Sequence, residues 1–246
     1  MWKASKYHRA LIFGDSWGRG AWTTPDGSFI DNGDNYFSEK LLEYFSEIEN
    51  FSQGGVSNEF ILESLRGVLE SYTVKSFRKP KTCILVIQTE PMRSVISKIN
   101  HNTANFSHIF KNGNYKEFNK TLIDLFYYNL NEIGKTYKTK INLIGGCSDI
   151  DLSLTKQYPY LNVLCESFYN LLRDPSYKSS IFSATYDYEK SIPTYSQDNS
   201  VVITGSGQKL RLQRKFQGDV FGYDTDNHPS RKGIDLWTQQ ILHNLK

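Results

Sequence analysis

The chain has 246 residues, 39% hydrophobic and 22% charged, with a formal net charge of +3. That length suits one α/β domain with a sizeable core, and the weak positive charge gives no reason to expect a nucleic-acid partner. No run approaches the ~20 apolar residues of a membrane span, and Cys83, Cys147 and Cys165 have the spacing of neither a zinc site nor a disulfide framework.

The opening stretch, MWKASKYHRA, has no apolar core after its charges and is read as no signal peptide. It predicts a protein made in a reducing, cytoplasmic compartment. Residues 10–13 form the first expected strand and run directly into Gly14-Asp15-Ser16. This turn has two readings: a plain reversal, or a serine displayed at a strand end. A helical pattern over 36–48 follows, with Phe37, Leu41, Leu42, Phe45 and Ile48 on one face. Residues 48–52 are a weaker second strand, ending in Gln53-Gly54-Gly55. Gly54 and Gly55 suit a tight strand-to-helix turn, and Ser57 is placed to cap the helix over 58–72.

Thr82–Gln88, reading TCILVIQ, is the clearest strand and leads into Thr89 and Glu90, the latter within pairing distance of Arg93 on a surface. Residues 100–115 are polar and Asn-rich and read as a long loop with a short helix. A helix over 118–137, strands at 141–144 and 161–165, and a last helix over 231–245 complete the order. Cys83 and Cys165 fall in apolar runs and are expected in the core. Between 191 and 219, VVIT, GSG and KLRLQRKF suggest an inserted hairpin with Gly205-Ser206-Gly207 at its turn. Its basic residues Lys209, Arg211, Arg214 and Lys215 read as a solvated loop. Continuous apolar strands alternating with amphipathic helices predict a doubly wound parallel α/β domain, residues 1–246 forming one unit.

In such a sheet, ligands bind outside the carboxyl ends of the strands. The turns at Ser16, Gly55 and Thr89 should therefore share one edge. A serine nucleophile needs a base. His8 precedes the first strand at its wrong end, His101 and His108 lie in the Asn-rich loop, and His243 sits in the last helical turn. His228 remains, in Asp224-Thr225-Asp226-Asn227-His228-Pro229-Ser230 just before the final helix.

Gly-Asp-Ser after the first strand, glycine after the second, and Asp-then-His-Pro-Ser before the last helix together resemble the GDSL-type, or SGNH, hydrolase superfamily, over nearly the whole chain and in the family's block order. The resemblance implies a three-layer α/β/α sandwich with a mainly five-stranded parallel sheet, flavodoxin-like in kind. It implies Ser16 as nucleophile, His228 as general base, and the Gly55 N–H in the oxyanion hole. Thr89 stands where the family carries its oxyanion asparagine, with Gln88 a neighbouring amide. The family's acid position, three before the histidine, is Thr225, which leaves Asp226 as the favoured acid and Asp224 as the alternative.

The activity implied is hydrolysis of an acetyl or short acyl ester on a carbohydrate or other small polar substrate, with no metal and no cofactor. The Tyr- and Asn-rich insertions suit a polar substrate. Two rival classes are a catalytically silent SGNH-like binding module and an O-acyltransferase using the same serine. The chain also looks like phage-encoded members of the superfamily, for which a virion location is the alternative to the cytoplasm.

Overall fold

The computed structural model describes residues 7–23, 29–30, 36–72, 81–89, 91, 115–146, 149–168, 201–203, 209–211 and 231–245. Five strands form one all-parallel sheet: β1 (Arg9–Phe13), β4 (Glu47–Asn50), β5 (Thr82–Gln88), β6 (Ile141–Gly145) and β7 (Leu161–Cys165), in the order β4-β1-β5-β6-β7. By position this is the flavodoxin-like order, with the switch point between β1 and β5. The short strands β2 (Trp22–Thr23) and β3 (Phe29–Ile30) pair antiparallel, and so do β8 (Val201–Ile203) and β9 (Lys209–Arg211). The expected turn at Gly205–Gly207 lies outside the described residues.

Alternation along the central strands sends side chains to opposite layers. On one face, Ala10, Ile12, Cys83, Leu85 and Ile87 meet Phe37 and Leu41 of α2 (Tyr36–Leu42) and Ile234, Trp237 and Ile241 of α6 (Arg231–Asn244). On the other, Leu11, Phe13, Ile84 and Val86 meet Ile61 and Leu65 of α3 (Asn58–Ser71) and Ile123, Phe126 and Leu130 of α4 (Tyr115–Tyr137). Each core strand is covered on both faces, which is why β1 and β5 are apolar without alternation, while β6 carries one buried polar residue, Asn142, whose amide donates to the Ile84 carbonyl at 3.0 Å. The edge strand β4, EIEN, has one buried neighbour strand and stays polar.

One boundary differs from the sequence reading. The helix expected over 36–48 ends at Leu42, where the amides of Tyr44 and Phe45 both donate to the Leu41 carbonyl and reverse the chain. Phe45 still reaches the core, but Ile48 does so from β4. A strand-borne apolar residue had extended the helical period. Helix α4 also begins earlier than expected, at Tyr115. Cys83 and Cys165 are buried free thiols, and burial pushes the Cys165 thiol up to about 12. Among the described residues no helix is long and apolar enough to cross a membrane.

Candidate active site

At the end of β1 the chain must turn against β5. A Cβ on Gly14 would stand 2.9 Å from Ile87 Cβ, so only glycine lets the two strands stay this close. Asp15 then caps the single-turn helix α1 (Ser16–Arg19), its Oδ1 accepting from the Trp17 N–H at 3.0 Å. Short acidic side chains suit this position because their oxygen replaces the carbonyl that the first turn lacks. Ser16 is the first helical residue and only 8% exposed. Its carbonyl accepts from Ala21 N–H at 2.9 Å, which closes the turn. Trp17 anchors α1 to the core, edge-on to Phe168 at 5.2 Å and to Trp237 of α6 at 5.9 Å.

The turn after β4 is stitched to the turn after β1. Phe51 N–H donates to the Ile12 carbonyl at 2.8 Å, and Gln53 N–H to the Gly14 carbonyl at 3.0 Å. The Asn50 amide donates to the Gly18 carbonyl and to Ser38 Oγ, both at 2.8 Å. Gly55, two residues past Gln53, has φ +74, the left-handed region that favours glycine. Ser57 caps α3, its hydroxyl accepting from Phe60 N–H. The sequence reading of Gly55 as a turn residue and of Ser57 as a helix cap therefore holds in the structure.

The turn after β5 departs from the expected arrangement. Thr89 is fully buried, and its hydroxyl donates to Asp15 Oδ2 at 2.9 Å. A hydroxyl has one hydrogen, and this bond directs it at Asp15. The Thr89 peptide is itself bracketed by Asn58, the first residue of α3. Thr89 N–H donates to Asn58 Oδ1, and Asn58 Nδ2 donates to the Thr89 carbonyl, both at 3.1 Å. Gln88 is engaged elsewhere: its Nε2 donates to the Asp149 carbonyl and its Oε1 accepts from the Tyr127 hydroxyl, both at 2.8 Å. Burial holds the Tyr127 phenol well above its usual range, so it remains a donor.

The structure thus brings Ser16, Gly55 and Thr89 to one edge of the sheet, with Ser16 and Thr89 flanking the β1/β5 switch point. Asp224, Asp226 and His228 lie outside the described residues, as do Glu90, His101 and His108. His8 is exposed at the amino end of β1, opposite that edge, and His243 is exposed in the last turn of α6. Among the described residues no group of three or more His, Cys, Asp or Glu side chains could hold a metal ion.

Asn58 and the capping role of Asp15 were missed by sequence reasoning. The available signal was Ser57-Asn58 opening a helix directly after a Gly-Gly turn, which puts a short amide at the sheet's carboxyl edge. No family model matches the chain, and no curated protein matches its sequence.

Proposed function

We propose that the protein is a serine esterase of the SGNH type, acting on an acetyl or short acyl ester of a carbohydrate or other small polar molecule. The observation that carries this reading is Ser16 itself. It opens a helix immediately beyond β1, at the switch point, with the Gly55 turn hydrogen-bonded alongside. That is where an open parallel sheet binds its ligand. Helix α6, which the His228 segment enters, packs onto the helix that carries Ser16 through the Trp17–Trp237 contact, in support of His228 as its partner.

In this reading His228 takes the Ser16 Oγ proton as Oγ bonds to the ester carbonyl carbon. Asp226 orients the imidazole and stabilises its charged form. Backbone N–H groups of Ser16 and Gly55 hold the oxyanion. The imidazolium returns the proton to the departing alkoxide, and water attacks the acyl-serine by the same route. Short-chain p-nitrophenyl ester hydrolysis tests this. Ser16→Ala and His228→Ala should each fall toward background, as loss of a serine or histidine from such a unit costs about six orders of magnitude in a serine protease. Equal hydrolysis by wild type and both variants would sink the assignment.

One observation favours the second reading, a silent binding module. At the end of β5 and the start of α3, the side-chain donors of Thr89, Gln88 and Asn58 are directed at Asp15, the Asp149 carbonyl and the Thr89 carbonyl. Loss of an oxyanion donor costs about 2.7–4 kcal/mol of transition-state stabilisation. A folded protein with no esterase activity and no covalent labelling of Ser16 would select that reading.

A further inference from the structure

We infer that Thr89 is a positioning residue for Ser16, acting through the Asp15 carboxylate rather than on the oxyanion; this rests on Ser16 being the nucleophile. Asp15 links two elements through its two oxygens. Oδ2 receives the Thr89 hydroxyl from the end of β5, and Oδ1 receives the Trp17 N–H from the first turn of α1. Asp15 and Thr89 are both essentially inaccessible to water, at 1% and 0% exposure, so solvent does not replace either bond when it is lost.

Thr89 is in turn immobilised by the Asn58 amide on both its N–H and its carbonyl. The result is a continuous path from the first residue of α3, through the end of β5, to the cap of the helix that begins at Ser16. It crosses the switch point from one side to the other. A buried network in which the members satisfy one another rigidifies what it holds. Here it holds the peptide that leads directly into Ser16.

Thr89 occupies the place of an oxyanion donor without that donor's task. Loss of the Thr89 hydroxyl would leave the Asp15 carboxylate short of one donor. The serine would keep its place in the sequence and lose its orientation. A misplacement of the order of 1 Å can cost roughly 10²-fold in rate.

The test is a Thr89 series read by two independent measurements: the rate at which a fluorophosphonate labels Ser16, and hydrogen exchange of the Trp17 amide. That amide lies in the first turn, where no intrahelical carbonyl can protect it, so its protection reports the Asp15 cap. Thr89→Val removes the hydroxyl at nearly constant volume and should slow labelling about 10- to 100-fold while raising Trp17 exchange. Thr89→Ser should restore both. Thr89→Cys, with a weak thiol donor, should fall between them, and the Ser/Cys ranking stands even if Thr89→Val does not fold.

In a double-mutant cycle, Asp15→Ala with Thr89→Val should be little worse than Asp15→Ala alone, because two residues of one network are not additive. Additive losses with Trp17 exchange unchanged would make Thr89 an independent oxyanion donor and overturn the inference. Equal rates for Thr89→Ser and Thr89→Cys would do the same. Failure of the wild type to label at all would instead overturn the nucleophile reading, while Trp17 exchange would still report the Thr89–Asp15 link.

Discussion

Gln88 and Thr89 are consecutive residues at the end of β5, both fully buried, and they belong to two different polar networks. Gln88 serves the distal half of the sheet. Its amide joins the Asp149 carbonyl to the Tyr127 hydroxyl of α4, and that hydroxyl also accepts from Asp151 N–H at 3.1 Å. Thr89 serves the switch point and ends on the Asp15 carboxylate beside Ser16. The Gln88 network is neutral side chains and backbone, and ties α4 to the segment after β6. The Thr89 network ends on a carboxyl group and ties α3 to the helix bearing the serine. Equal burial does not mean equal role: one network holds the scaffold, the other orients a single residue.

The Thr89 series is the largest expected effect and falls on reactivity. Tyr127→Phe should show the opposite profile. It removes the donor to Gln88 and the acceptor for Asp151 N–H, and should cost about 1–3 kcal/mol in urea unfolding. The labelling rate of the remaining folded protein should not change. A fall in labelling comparable with that of Thr89→Val would break the distinction between the two networks.

A smaller effect is expected at Asp151, which caps α5 (Leu152–Thr155) by accepting from the Ser153 and Leu154 amides. Burial of Asp151 opposes ionisation, but hydrogen bonds from the Ser153 hydroxyl and these two amides outweigh it and hold its carboxyl below the usual range. Asp151→Ala should cost about 1 kcal/mol at neutral pH. A carboxyl whose folded value lies below its unfolded one stabilises above the ordinary carboxyl range and loses that contribution as pH falls through the folded value. The gap between wild type and Asp151→Ala should therefore narrow below about pH 4. A gap that widens in acid would contradict the assignment.

The smallest change is expected at Ser52, whose Oγ is buried without a hydrogen-bond partner among the described residues and lies 2.3 Å from where a Cβ on Gly18 would stand. A buried unpaired hydroxyl is a cost, so Ser52→Ala should be neutral or stabilising by up to about 1 kcal/mol, with labelling unchanged. A substantial loss in either would show that Ser52 belongs with Asp15 and Thr89.

Much of the fold was legible because burial on both faces leaves a local mark. β1 and β5 are built on unbroken apolar runs, β6 is interrupted only by Asn142, and α3 and α4 carry apolar residues at helical spacing. Gly14 and Gly55 were legible for a different reason, since a close strand and a left-handed turn both call for the residue without a Cβ. The boundary of α2 was not, because Ile48 continues its apolar spacing while belonging to a strand. Nor was the task of Thr89. Its bond to Asp15 spans 74 positions in the chain, and its bracket with Asn58 spans 31. Side-chain pairings at such separations leave no periodicity. The residue type at position 89 matched a donor role, and only the folded arrangement shows where the proton goes.

Mass-spectrometric mapping of a fluorophosphonate adduct on the wild-type protein tests the central claim most directly. The account predicts one modification, on Ser16, abolished in Ser16→Ala and strongly slowed in His228→Ala. A folded wild-type protein that takes up no label, or takes it up on another residue at the same rate in all three proteins, would contradict it.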